Sequence, residues 1–141
     1  MATPKIDTST ERGARAEGRL REEAIAWLAT VRPNGQPDVV PVWILWDGAT
    51  ILIYSQPNKP KLRNIARNPR VAVVIDNTRG GGDVVRVEGT AEHVSGHPLA
   101  TELPAYLAKY GEHITRIGYD ASGFARGYSE AIRITPTRIH Y

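Results

Sequence analysis

Val40-Pro41-Val42-Trp43-Ile44-Leu45-Trp46-Asp47-Gly48-Ala49-Thr50-Ile51-Leu52-Ile53-Tyr54-Ser55-Gln56-Pro57-Asn58-Lys59-Pro60-Lys61-Leu62-Arg63-Asn64-Ile65 is the most legible part of the chain. It closes a long apolar run, Pro37 to Trp46, that reads as one strand. Val39, Trp43 and Leu45 fall on one face, and Val40, Val42, Ile44 and Trp46 on the other. A strand apolar on both faces is covered on both sides. Asp47-Gly48 is a hairpin signal, and Thr50 to Ser55 returns antiparallel. Gln56 to Pro60 ends that strand. Pro60 suits the start of a short helix, Lys61 to Arg67, which Asn68-Pro69 stops.

Upstream, Met1 to Thr10 is polar and aperiodic, which predicts a flexible arm over residues 1–12 ahead of one domain over 13–141. Glu11 to Leu28 reads as a helix, with Leu20, Ala24, Trp27 and Leu28 on one face. A short strand, Ala29 to Arg32, precedes a turn at Pro33-Asn34-Gly35, where Gly35 supplies positive φ. Downstream, Arg70 to Asp76 is a strand and Asn77 to Asp83 a mobile glycine-rich loop. Val84 to Val94 alternates, with Val85, Val87 and Ala91 facing one way. A helix starts near Pro104, presents Leu103, Tyr106, Leu107 and Tyr110, and stops at Gly111. His113 to Ser129 has no decisive period. Glu130 to Tyr141 closes the chain as a strand, and its apolar parity switches after Pro136, which predicts a bulge there. About six strands result. Antiparallel hairpins with helical insertions predict a mainly β (α+β) barrel rather than a doubly wound sheet.

The bulk numbers narrow the function. The 141 residues contain no cysteine, so a thiolate nucleophile, a cysteine metal site and a disulfide framework are excluded. That suits the cytoplasm. The longest apolar run is too short to cross a bilayer, and the start of the chain shows no leader pattern. The net charge of +3 says less than its placement. Between Asp47 and Asp76 there is no acid, while Lys59, Lys61, Arg63, Arg67 and Arg70 fall in that gap. Such a patch attracts phosphates or carboxylates, although a solvated helix face looks the same.

Other motifs lead nowhere. Gly80-Gly81-Gly82 precedes a strand, not a helix, so it is neither a P-loop nor a dinucleotide fingerprint. His93 and His97 have helical zinc spacing, but Gly96 and Pro98 break any helix through them. No Gly-x-Ser-x-Gly elbow exists. No residue is assigned a catalytic or metal-binding role. Trp43, Trp46 and Tyr54 flank one hairpin, as aromatics of a core or dimer interface usually do; beside a cationic helix start they could instead border a flat cofactor. At the start of that helix, free amides, the positive dipole end and the Lys59 and Lys61 ammonium groups together favour an anion.

Val40-Pro41-Val42-Trp43, the Asp47-Gly48 hairpin, Tyr54-Ser55, Lys59-Pro60-Lys61-Leu62-Arg63-Asn64-Ile65 and Asn68-Pro69-Arg70-Val71-Ala72 together resemble the pyridoxamine-5'-phosphate-oxidase-like split barrels. The Pro-Val-Trp strand and the Lys-x-Arg-Asn-Ile spacing are most similar to their actinobacterial branch, the deazaflavin-dependent reductases. The resemblance spans roughly Ala24 to Val94 and includes the closing Ile132-x-Ile134-x-Pro136-x-Arg138-Ile139 strand. It implies a six-stranded antiparallel split β-barrel forming a homodimer, with cofactor sites at the subunit interface. It places a phosphate on Lys61, the backing of a ring on Val42 and Trp43, ring neighbours on Tyr54 and Ser55, and further contacts on Lys59 and Asn64. The implied cofactor is coenzyme F420 (8-hydroxy-5-deazaflavin), with FMN as the alternative. The implied activity is hydride transfer to a small organic acceptor. A carrier or a haem-binding relative is a third reading. No nucleic-acid or membrane partner is implied. Two departures speak against pyridoxamine phosphate as substrate. Pro60 stands where FMN oxidases often carry an arginine, and the closing Trp and Arg of the true oxidases are not evident.

Overall fold

A computed structural model describes residues 3–76 and 79–141; Met1 and Ala2 of the arm, and Asn77 and Thr78 of the glycine-rich loop, lie outside the described residues. The chain runs α1 (Glu11–Glu22), β1 (Ala26–Val31), β2 (Pro37–Val42), β3 (Leu45–Trp46), β4 (Ile51–Ser55), α2 (Pro60–Arg67), β5 (Arg70–Ile75) and β6 (Val85–Val94). A 3-10 turn (Ala100–Glu102), α3 (Pro104–Arg116), α4 (Ala121–Gly127) and β7 (Glu130–His140) complete it. The strands form one antiparallel sheet in the order β2-β1-β5-β6-β7-β4-β3. Its two edge strands, β2 and β3, are joined by only Trp43 and Ile44, so the sheet curls until its edges nearly meet.

Seven strands replace the six expected, because the run Pro37 to Trp46 breaks at residues 43–44. The break is stabilised from α3. The Tyr110 hydroxyl accepts from the Ile44 amide (2.8 Å), and Lys109 Nζ donates to the Ile44 carbonyl (2.8 Å). Backbone groups that leave the ladder thereby keep partners. The alternation read from sequence survives the break. Val42, Ile44 and Trp46 enter the core inside the curl, whereas Trp43 and Leu45 pack into a second cluster under α3 and α4. Val39 instead stays 56% exposed. Strand β4 divides the two cores, with Ile51 and Ile53 on one side and Leu52 and Tyr54 on the other.

The predicted helix Glu11–Leu28 ends at Glu22. Beyond it, Ala26, Leu28 and Thr30 alternate inward as β1 and leave Trp27 outside. The arm's described part is tied down, with Ile6 on the inner core and the Asp7 amide donating to the Tyr141 hydroxyl. Thr10 caps α1 by accepting from the Gly13 amide. The expected positive φ of Gly35 is present, at +85°. The predicted bulge lies beside Pro136: Glu88 pairs with Arg138 and Gly89 with Pro136, leaving Thr137 as the extra residue. The helix from Pro104 runs past Gly111 to Arg116, and the undecided stretch beyond it holds α4, capped by Asp120.

Candidate cofactor site

A cavity of about 210 Å³ opens where three parts of the chain meet. Pro41 and Val42 come from the end of β2, Trp43 from the strand break, Tyr54 from the end of β4, and Lys61 from the first turn of α2. Tyr106 comes from α3 and Ile117 from its C-cap, Phe124 from α4 and Tyr128 from its C-cap.

The walls are aromatic and mutually packed. Trp43 stacks on Tyr110 at 4.7 Å and on Phe124 at 5.5 Å between ring centres. Phe124 stacks on Tyr128 at 4.5 Å, and Tyr54 meets Tyr106 edge-on at 5.0 Å. The Tyr54 hydroxyl donates to the Pro98 carbonyl. Burial, then the charge of Glu102, pushes its ionisation up to about 12. The segment that holds Tyr54 is itself pinned, since Arg133 donates to His97 Nε2 at 2.9 Å and bridges to Asp47.

Lys61 is the charged group of this cavity. It is half-buried. Burial, then repulsion from Lys59, lowers its pKa. No described residue gives it an ion pair or a hydrogen bond. Lys59 is the N-cap residue of α2, but its side chain does not cap the helix. The first turn of α2 has no acidic residue. An unpaired, partly desolvated ammonium at a helix start favours an anion. This donor set fits a flat ring with an acidic tail, with Lys61 at the tail and the aromatics about the ring.

Of the residues singled out from sequence, Val42, Trp43, Tyr54 and Lys61 share this cavity. Ser55 is buried, and its hydroxyl donates to the Gln56 carbonyl rather than lining the space. Asn64 is 4% exposed and donates to Thr30 Oγ1 at 2.9 Å, holding α2 to β1. Lys59 is exposed beside the site. Arg70 lines a different groove, with Glu88 and Thr90 on β6. Sequence reasoning missed Tyr106, Ile117, Phe124 and Tyr128 as neighbours of the site. The aromatic spacing and the Asp120 cap were visible, but nothing local tells that this helical pair folds back over β4.

The pyridoxamine 5'-phosphate oxidase family model matches residues 14–141. The chain belongs to that family. Among solved members of the same fold, an F420 reductase is 28% identical, with a TM-score of 0.66 over 88% of this chain and 94% of that one. An FAD-binding protein from Mesorhizobium loti is 22% identical, with a TM-score of 0.65 over 89% and 88% of the two chains. A haem storage protein from Vibrio cholerae is 15% identical, with a TM-score of 0.63 over 97% and 94%. No curated protein matches the chain. Proteins of this one fold thus carry different descriptions, and the fold by itself does not fix a function.

Proposed function

We propose that this family member is an oxidoreductase that binds coenzyme F420 and passes a hydride between the reduced deazaflavin and a small organic acceptor. The observation that carries this reading is Lys61, half-buried and unpaired among the described residues, in one cavity with Trp43 and Tyr54. Likeness to an F420 reductase supports it. The deazaflavin supplies the hydride chemistry when bound. The chain's own residues hold and orient: Lys61 takes the phosphate, and Val42, Trp43 and Tyr54 border the ring. Trp43, Phe124 and Tyr128 exclude water from its surroundings. Lys59 adds charge beside Lys61, and Arg63 and Arg67 continue it along α2 toward the acidic tail.

A homodimer and a cytoplasmic setting belong to the same proposal. A cavity of about 210 Å³ is smaller than the usual range of roughly 300–1,000 Å³, as expected if a second subunit completes it. No helix among the described residues is long and apolar enough to cross a membrane. FMN is the second reading. It is favoured by the fact that Lys61 alone of the five cations lines the cavity, enough for one phosphate. A titration of F420 and FMN decides between them. Tighter F420 binding at low salt is expected, falling more steeply between about 0.05 and 0.5 M because screening reaches its long anionic tail. Equal or tighter FMN binding with a flat salt response selects FMN.

A further inference from the structure

Tyr106 is 1% exposed and lines the cavity, yet no described residue hydrogen-bonds to its hydroxyl. That hydroxyl is not sealed in, unlike the unpartnered Nδ1 of His113. The other buried tyrosine hydroxyls are engaged: Tyr54 with the Pro98 carbonyl, Tyr110 with the Ala24 carbonyl and the Ile44 amide. A hydroxyl open to the cavity and without a protein partner is free to bond what enters it, which phenylalanine in the same space could not do. Burial, then the neighbouring tyrosines, raises the ionisation of Tyr106 far above neutrality, so it stays a donor. No carboxylate lines the cavity to receive its proton.

We propose that the Tyr106 hydroxyl donates a hydrogen bond to a carbonyl oxygen on the pyrimidinedione edge of the ring bound in this cavity. The proposal rests on reading the cavity as the cofactor site. Flavins and deazaflavins share that edge, so Tyr106 recognises the ring whichever tail follows it. Lys61, by contrast, recognises the phosphate. The two residues thus split recognition between ring and tail. Tyr106 is a positioning residue, setting how the ring sits against Trp43 and Tyr54.

The test compares wild type, Tyr106→Phe and Lys61→Ala, each titrated with riboflavin, FMN and F420 by fluorescence and each melted without ligand. Tyr106→Phe is expected to weaken every ring that wild type binds by a common factor, about five- to tenfold. Lys61→Ala is expected to weaken FMN and F420 but not riboflavin. The melting temperature of Tyr106→Phe should hold or rise, since no internal bond is lost. Unchanged ring affinity in Tyr106→Phe, with Lys61→Ala still losing FMN or F420, overturns this proposal and leaves the cofactor reading standing. So does a melting point several degrees lower, which would make the hydroxyl structural. A wild type that binds none of the three overturns both.

Discussion

Lys109 and Tyr110 show how two side chains can hold an irregular strand. Tyr110 accepts from the Ile44 amide and donates its single proton to the Ala24 carbonyl at 2.7 Å. Tyr110→Phe keeps the stacking on Trp43 but strands these backbone groups, so it should cost about 1–3 kcal/mol in a denaturant titration. Lys109 Nζ donates to Leu20 and Ile44 carbonyls and lies over the Tyr110 ring. Burial lowers its pKa to about 8, with Glu23 opposing weakly. A lysine whose folded pKa is depressed contributes stability present above its unfolded pKa and lost as pH falls through the folded value. The stability of wild type relative to Lys109→Met should therefore rise with pH between about 8 and 10. A flat or falling difference in melting temperature across that window would show that the ammonium is not desolvated. Lys61→Ala, which removes an unpaired cation, should leave folding intact and weaken a phosphate-bearing cofactor about ten- to a hundredfold.

At the scale of elements, β6 and β7 form the longest pairing, and its bulge depends on Gly89. A Cβ added there would approach the Thr135 carbonyl oxygen to 2.5 Å and Ile134 Cγ2 to 3.0 Å. The obstacle is largely backbone in the neighbouring strand, which cannot swing aside as a flexible side chain would. Gly89→Ala is expected to destabilise by about 1–3 kcal/mol. Gly80→Ala, where a Cβ meets open space, should be close to neutral in the same denaturation experiment. Strand β2 carries Pro37 and Pro41 and lies at a sheet edge, where a missing amide breaks no ladder.

At the scale of the whole molecule, the outer sheet face leaves Trp27 47% and Val39 56% exposed, with Trp27 opposite Pro41 and Val74 and Val39 opposite Ala29. Apolar residues exposed side by side on one face offer a surface that a partner could cover. The proposed dimer would cover it, with an interface above about 1,000 Å². Light scattering at micromolar concentration should report twice the chain mass for wild type. The double variant Trp27→Lys with Val39→Lys should report the monomer and bind cofactor more weakly. A monomeric wild type would remove the second subunit from the site.

Local signals determined much of this protein. Asp47-Gly48, Pro33-Asn34-Gly35 and the alternation of Val85 to Ala91 are short-range patterns whose physics lies in a few consecutive residues, and they placed the hairpins and most strands. The aromatics beside the hairpin and the cationic start of α2 brought Trp43, Tyr54 and Lys61 forward as candidates, and the family resemblance added Val42. Period failed where two elements abut: Trp27 and Leu28 fit a helical face in sequence, yet β1 begins at Ala26, because pairing with both β2 and β5 outweighs helix propensity. Only the tertiary structure brought α3 and α4 over β4, supplying Tyr106, Phe124 and Tyr128 to the cavity and Tyr110 to the strand break. It also turned Asn64 inward to Thr30 and left Lys61 half-buried. Which side of a short helix meets the sheet, and which hydroxyl is left without a partner, depend on contacts between residues tens of positions apart. Propensity and spacing act over a few residues, so they carry no information about such contacts.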